Sequence, residues 1–252
     1  MTLIIALSCK DGIVMASDGQ ATGGSAGGPI RMPIQKIFKI NEHVLFGAAG
    51  NVGIIQRSRD VIRSFSVKLE EEWDYQLMDK IRKALFEVYK NEVDRHGAFY
   101  GDTPEGDIRN APTSDVLLCN FFTKGEEIQK VIWHIAPDCS DERMDEIGYG
   151  CSGSGDVFAH TLLKNYPVKE LDVGKCMLVA YRVIKEAIEI GAYGLGEPID
   201  VWLITKEGCR RLSQEELMGL EDAYNVWKEM ERTVFEKLFE EGLQNDRTWP
   251  RN

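Results

Sequence analysis

The chain has 252 residues, of which 43% are hydrophobic and 28% charged, the composition of an ordinary globular protein with one large domain or one domain plus an appendage. Its 41 acidic residues outweigh 30 basic ones, giving a net charge of −11, which argues against nucleic acid as a partner because phosphate binding needs a basic face. The six cysteines, Cys9, Cys119, Cys139, Cys151, Cys176 and Cys209, form no CxxC pair and have no histidine at metal-ligand spacing, so no zinc site, other metal or cofactor is expected. The N-terminal apolar run is too short for a signal peptide, and no stretch approaches the roughly 20 apolar residues of a membrane span. The expectation is a cytoplasmic protein with reduced, mostly core cysteines and no membrane contact.

Two strand-like runs, Leu3–Ser8 and Ile13–Ser17, flank Lys10-Asp11-Gly12 near the N-terminus. Asp-Gly between apolar runs is a hairpin signal, since Gly accepts the positive φ of such turns. The hairpin returns Asp18 to the start of the first strand, beside Thr2. A small second residue lets a methionine aminopeptidase remove Met1, which would leave Thr2 with a free hydroxyl and a free α-amine, a nucleophile and a base in one residue.

Residues 23–29 (GGSAGGP) read as a loop too rich in Gly for a strand or helix. Lys36–Ile40 and Val44–Ala49 read as a strand pair turning near Asn41-Glu42. Residues 50–69 and 75–94 read as helices, the second from Leu77, Ile81, Ala84, Leu85, Val88 and Tyr89. Residues 96–112 are loop by composition. Ser114–Phe122 and Ile128–Ile135 form a strand pair, Ile147–Cys151 a short strand, Asp156–Lys164 and Val173–Ile190 two helices, and Ile199–Thr205 a last strand. Ser213-x-x-Glu216 is a capping box opening a long amphipathic helix, with Leu217, Leu220, Tyr224, Trp227, Met230, Val234 and Leu238 on one stripe, ending near Gly242. The organisation expected is a domain over 1–212 and a C-terminal helix and tail over 213–252.

The opening stretch, together with Gln20-Ala21-Thr22-Gly23, Lys36-Ile37-Phe38-Lys39-Ile40, Gly47-Ala48-Ala49-Gly50-Asn51-Val52-Gly53 and Gly153-Ser154-Gly155, resembles proteasome β-subunits and their relatives, the N-terminal-nucleophile (Ntn) hydrolases. The resemblance runs in order to about Thr205. It implies an α+β fold, the four-layer αββα sandwich, here with a long C-terminal helix. It implies a threonine peptidase or amide hydrolase acting on peptide or protein substrates within a ring-like homo-oligomer, without indicating any regulatory ATPase.

By resemblance Thr2 is the nucleophile, Lys36 lowers its hydroxyl pKa, Asp18 holds Lys36 charged, the Gly50 N–H faces the oxyanion, and Ser154 orients the α-amine. Each also has a plainer reading: Asp18 and Lys36 as a surface pair worth ~0–1 kcal/mol, Gly50 as the start of a helix, Ser154 as a helix cap. Family positions for the substrate side chain fall on Ala21, Ile34, Phe38, Ala48 and Val52, small or apolar residues implying an uncharged side chain before the scissile bond. The chain departs from the family in the loop before Ile199, where Ala192 and Leu195 stand at the places of a supporting Asp and Ser, and Glu197 is the only acid nearby. If Met1 stays on, the α-amine belongs to Met1 and the alternative is a non-catalytic subunit or assembly scaffold. An amine acceptor intercepting the acyl-enzyme would instead give amide transfer.

Two motifs are set aside. Gly148-Tyr149-Gly150-Cys151-Ser152-Gly153 matches GxGxxG, but follows a polar stretch late in the chain instead of closing a first βαβ strand. His134 and His160 lack an evident nucleophile partner and are expected to pack or lie at the surface.

Overall fold

A computed structural model describes residues 1–25, 28–71, 73–101, 103, 107, 110–124, 127–191 and 194–244. The chain divides into two compact units, Met1–Leu212 and Ser213–Asn252.

In the first unit, β1 (Ile4–Ser8) and β2 (Ile13–Asp18) are buried along their whole length. A strand covered on both faces needs such near-continuous apolar sequence, and simple alternation would not serve. Their turn closes with the Cys9 amide donating to the Gly12 carbonyl at 2.9 Å. Gly12 is required there, because a Cβ would sit 2.6 Å from the Ile204 carbonyl oxygen. The ribbon β3 (Gln20–Ser25) and β4 (Gly28–Pro33) follows, then β5 (Ile37–Asn41), β6 (Val44–Gly50), α1 (Val52–Ser64), α2 (Lys68–Glu71) and α3 (Tyr75–Tyr100). After these come β7 (Ser114–Lys124), β8 (Glu127–Ile135), β9 (Asp141–Arg143), β10 (Tyr149–Ser152), α4 (Asp156–Leu163), a 3-10 turn (Val168–Glu170), α5 (Val173–Glu189), β11 (Ile199–Thr205) and β12 (Gly208–Arg211).

The strands form two five-stranded sheets, ordered β10-β1-β2-β11-β12 and β5-β6-β7-β8-β9, and the separate β3-β4 ribbon. Between the large sheets lie Ile4, Ala6, Met15, Ile37, Leu45, Leu117 and Ile132. On the other face of the second sheet, Phe46, Val116, Leu118 and Trp133 pack with Ile54 and Ile62 of α1 and Leu77, Ile81 and Leu85 of α3. Successive β7 residues thus feed opposite cores, as the period-two pleat dictates. Each buried aliphatic side chain contributes about 1.5–3 kcal/mol. Helix α5 covers the first sheet with a stripe of Cys176, Val179, Ala180, Val183, Ile184 and Ala187. The result is helix, sheet, sheet, helix: an αββα sandwich.

Some expectations change. Residues 23–29 were expected as a loop; residues 26 and 27 lie outside the described residues, but on either side of them β3 and β4 pair from Gln20↔Pro33 to Ser25↔Gly28. Ladder bonds come from the backbone, so glycines extend a register set by their neighbours despite their poor strand propensity. Helix α3 runs to Tyr100, six residues past the expected end; Gly97 lies within it, and Gly101, at φ +62°, follows it. The expected first helix breaks after Ser64 and resumes as the four-residue α2. Strands β9 and β12 have too little apolar sequence to be foreseen. The GxGxxG match lies along β10, antiparallel to β1, which is no dinucleotide-binding geometry.

The second unit is α6 (Gln214–Gln244). Its capping box is reciprocal: the Ser213 amide donates to Glu216 Oε2 at 2.8 Å and the Glu216 amide to Ser213 Oγ at 3.2 Å. Of its apolar stripe, Met230, Val234 and Leu238 are exposed. No helix among the described residues is long and apolar enough to cross a membrane.

Candidate active site

The hairpin carries Thr2 and Asp18 to one end of the first sheet. The Asp18 amide donates to the Leu3 carbonyl at 3.2 Å, and the Leu3 amide to Asp18 Oδ1 at 2.9 Å. Lys36, one residue before β5, places Nζ 2.6 Å from the same Oδ1. Asp18 is fully buried and Lys36 is 5% exposed, so the surface-pair reading is excluded. Burial pulls the Lys36 pKa below the ordinary lysine value, opposed by the charge and hydrogen bond of Asp18. The ammonium also donates to the Met1 carbonyl at 3.3 Å, so the pair reaches the peptide bond preceding Thr2.

Ser154 grips Thr2 from the other side. The Thr2 nitrogen, an amide while Met1 is attached, donates to Ser154 Oγ at 3.3 Å. Ser154 Oγ lies 3.4 Å from the Thr2 carbonyl oxygen, which also accepts the Gly155 amide at 3.3 Å. Helix α4 has Gly155 at its N-cap with no side-chain cap bond, so Ser154 is not a capping residue. Gly153, at φ +97°, lies so close that a Cβ would stand 2.3 Å from the Thr2 carbonyl oxygen. Gly50 is likewise not the cap of α1; Asn51 is, through Oδ1. Gly50 ends β6 at φ +124°, where a Cβ would meet the Thr113 carbonyl oxygen at 2.4 Å.

Two pockets meet at Thr2. One, of about 280 Å³, is lined by Met1, Thr2, Lys36 and Gly50 and by all five expected substrate positions, Ala21, Ile34, Phe38, Ala48 and Val52. Gln35, Ile55, Gln56 and Arg59 join them in that lining. The other, of about 320 Å³, is lined by Met1, Thr2, Gly50, Ser114, Asp115 and Ser154, among others. The structure therefore brings Thr2, Asp18, Lys36, Gly50 and Ser154 into one locality.

The loop before β11 supports the site through backbone instead of the family's side chains. Ala192 lies outside the described residues, and Leu195 is buried. The Gly196 amide donates to Asp18 Oδ2 at 3.3 Å, the Gly19 amide to the Gly196 carbonyl at 3.0 Å, and Gln20 Nε2 to the Gly194 carbonyl at 3.1 Å. Glu197 instead pairs with Lys185 at 2.8 Å and accepts the Ile199 amide.

Sequence reasoning missed a carboxylate-centred group beside the second pocket. Asp115 Oδ2 accepts Ser152 Oγ at 2.9 Å and the Gly153 amide at 3.3 Å, and Oδ1 lies 2.5 Å from His134 Nε2. The Asp115 hydrogen bond raises the His134 pKa, with burial opposing it. His134 is therefore not an idle packing residue. Asp115 follows Ser114 in an apolar run, and an acid entering a strand was the available signal.

The comparisons with known proteins agree with this architecture. A family model described as "Proteasome subunit" matches residues 2–94. The proteasome subunit beta of Methanobrevibacter smithii is 29% identical over 219 residues, 86% of this chain and 93% of the relative. Proteasome subunit beta 1 of Thermococcus gammatolerans is 27% identical over 217 residues, 84% of this chain and 92% of the relative. Among solved structures, the Anbu (Gly-1) mutant from Hyphomicrobium sp. strain MC1 superposes with a TM-score of 0.67 over 94% of this chain and 97% of that one. Its sequence identity of 15% makes that a likeness of fold alone. Over most of its length the chain is thus similar in sequence to proteasome β-subunits, and its αββα sandwich is similar in fold to the Anbu structure.

Proposed function

We propose that the chain is a threonine-type peptidase or amide hydrolase whose nucleophile is the Thr2 hydroxyl, exposed as an N-terminal residue by removal of Met1. The observation that carries this reading is the buried Asp18–Lys36 pair, whose ammonium also bonds the Met1 carbonyl next to Thr2. A buried ion pair is a weak device for stability, because desolvation offsets much of its attraction. As a fixed cation in the pocket that Thr2 lines, it would have a clear use in stabilising an alkoxide there.

In the proposed reaction the Thr2 α-amine, with a reference pKa of about 8, takes the hydroxyl proton while Oγ1 bonds to the substrate carbonyl carbon. Lys36 stabilises the developing alkoxide, and the Gly50 N–H receives the oxyanion. The amine proton passes to the departing nitrogen, the C–N bond breaks, and water hydrolyses the resulting ester. Ser154, bonded to the Thr2 nitrogen, holds that base in position. Peptides or proteins are the substrates, and the relatives' family favours a cytoplasmic homo-oligomer.

A second reading, an assembly subunit that keeps Met1, draws on the loop before β11, where buried Leu195 offers no polar support. Intact mass after treatment with a peptide epoxyketone separates the two, since the adduct needs both the hydroxyl and a free α-amine. A mass lacking Met and carrying the adduct is expected. Retained Met with no adduct would overturn the catalytic reading.

A further inference from the structure

We infer that the pocket lined by the five family positions selects an acidic substrate side chain, and that Arg59 is the residue that reads it. This rests on the proposed function for the place of the scissile bond, and departs from the uncharged side chain that those five positions alone imply.

Val52, Ile55, Gln56 and Arg59 fall at i, i+3, i+4 and i+7 of α1 and line the pocket along one helical face. The Arg59 guanidinium lies over the Phe38 ring, its central carbon 4.5 Å from the ring centroid. That contact fixes a planar cation against a pocket wall. Arg59 Nε is buried without a hydrogen-bond partner, and Arg59 has no ion-pair partner among the described residues. Arg57, on the same helix, is by contrast paired with Glu92. The pocket's other cationic side chain among the described residues, Lys36, is already bonded to Asp18, and no acid among those residues lines this pocket. The amide of Gln56, three residues before Arg59, offers further donors.

A guanidinium without an ion-pair partner at the wall of a partly open, partly apolar pocket calls for an anion. A carboxylate entering the pocket would accept charge-assisted hydrogen bonds from the Arg59 fork. An aliphatic side chain would bury the guanidinium further and give it nothing, which is how polar sites reject apolar competitors. The pocket's volume of about 280 Å³ admits a glutamate side chain.

The test is calorimetric binding of blocked peptides, Ac-Ala-Ala-Leu-Xaa-amide with Xaa Glu, Gln, Leu or Lys, to the full-length protein as purified. The Glu peptide is expected to bind at least tenfold more tightly than its near-isosteric Gln counterpart, with Lys weakest and the Glu advantage shrinking in high salt. Arg59→Met keeps a stem against Phe38; it should erase the Glu-over-Gln difference. Equal affinity for Glu and Gln, or a Glu preference that survives Arg59→Met, overturns the proposal. If the variant does not fold, the Glu-to-Gln ratio of the unaltered protein still decides. Binding needs no turnover, so a Glu preference without epoxyketone labelling would leave this inference standing while the catalytic reading fails. Labelling without any Glu preference would do the reverse.

Discussion

Asp18→Asn is the most informative single substitution. The Asp18 carboxylate accepts four donors: Lys36 Nζ at 2.6 Å and the Leu3 amide at 2.9 Å on Oδ1, and the Gly196 and Gln20 amides at 3.3 and 3.4 Å on Oδ2. A carboxamide keeps one oxygen and turns an NH₂ group toward the other pair of donors. It also leaves an ammonium that is 5% exposed without its counter-charge. Removing one partner of a buried pair costs about 3–5 kcal/mol, where a surface pair would cost at most about 1 kcal/mol. With a urea m-value of roughly 3 kcal/mol/M, the unfolding midpoint should fall by about 1–2 M. The pH dependence has a definite sign. Asp18 is what holds the Lys36 pKa up against burial, so in the variant the folded-state pKa falls further below the ordinary lysine value. The unfolded chain then binds more protons than the folded one over a wider window, and the variant gains stability as pH rises toward the unfolded lysine pKa. Its deficit should therefore narrow from pH 7 to pH 10, and the Asp18→Asn/Lys36→Met double variant should be more stable at pH 7 than Asp18→Asn alone. A loss below 1 kcal/mol, or a deficit that widens with pH, would refute the reasoning.

Two further substitutions probe the grip on Thr2. Gly153→Ala puts a Cβ into the Thr2 carbonyl at a φ of +97°, so the loop bearing Ser154 must move; epoxyketone labelling should slow more than tenfold. Gly148→Ala is the control, since at a similar φ of +94° its Cβ meets only the Lys169 side chain; equal slowing of both would show general strain instead of displacement of Thr2. For His134, Asp115 raises the pKa, aided by Glu142 and Asp156. The pair's contribution is fully present below the unfolded histidine value of about 6.5 and is lost as pH rises through the folded value. His134→Gln should thus cost more stability at pH 6 than at pH 9, measured by urea unfolding, and an equal cost at both would remove the pair's electrostatic role.

The central architecture was legible because its signals are local. An Asp-Gly turn between two apolar runs sets the hairpin, and hairpin geometry alone returns Asp18 to Leu3 and Thr2. Apolar repeats placed the helices, and the resemblance placed Lys36, Gly50 and Ser154. What stayed hidden depends on partners distant in sequence. Asp115 meets Ser152 across 37 residues, and Gln20 meets Gly194 across 174. The same limit explains Arg59. At its position in α1 it counts as one more member of a helical stripe, and only the fold shows that the stripe faces a pocket in which the charge has no ion-pair partner among the described residues. Composition misled at residues 23–25 and 28–29, because glycine content speaks to side-chain propensity while a ladder depends on backbone register.

The β3–β4 ribbon has a consequence for how such a protein diversifies. It pairs with neither large sheet, yet Ala21 and Thr22 on it, and Ile34 just beyond it, line the pocket beside Thr2. Substitutions there reshape what the pocket admits without disturbing the inter-sheet core or the Asp18–Lys36 pair. The pocket wall therefore has two kinds of residue: those on the ribbon, which can change apart from the sandwich, and Phe38, Ala48 and Arg59, which belong to the elements that build it.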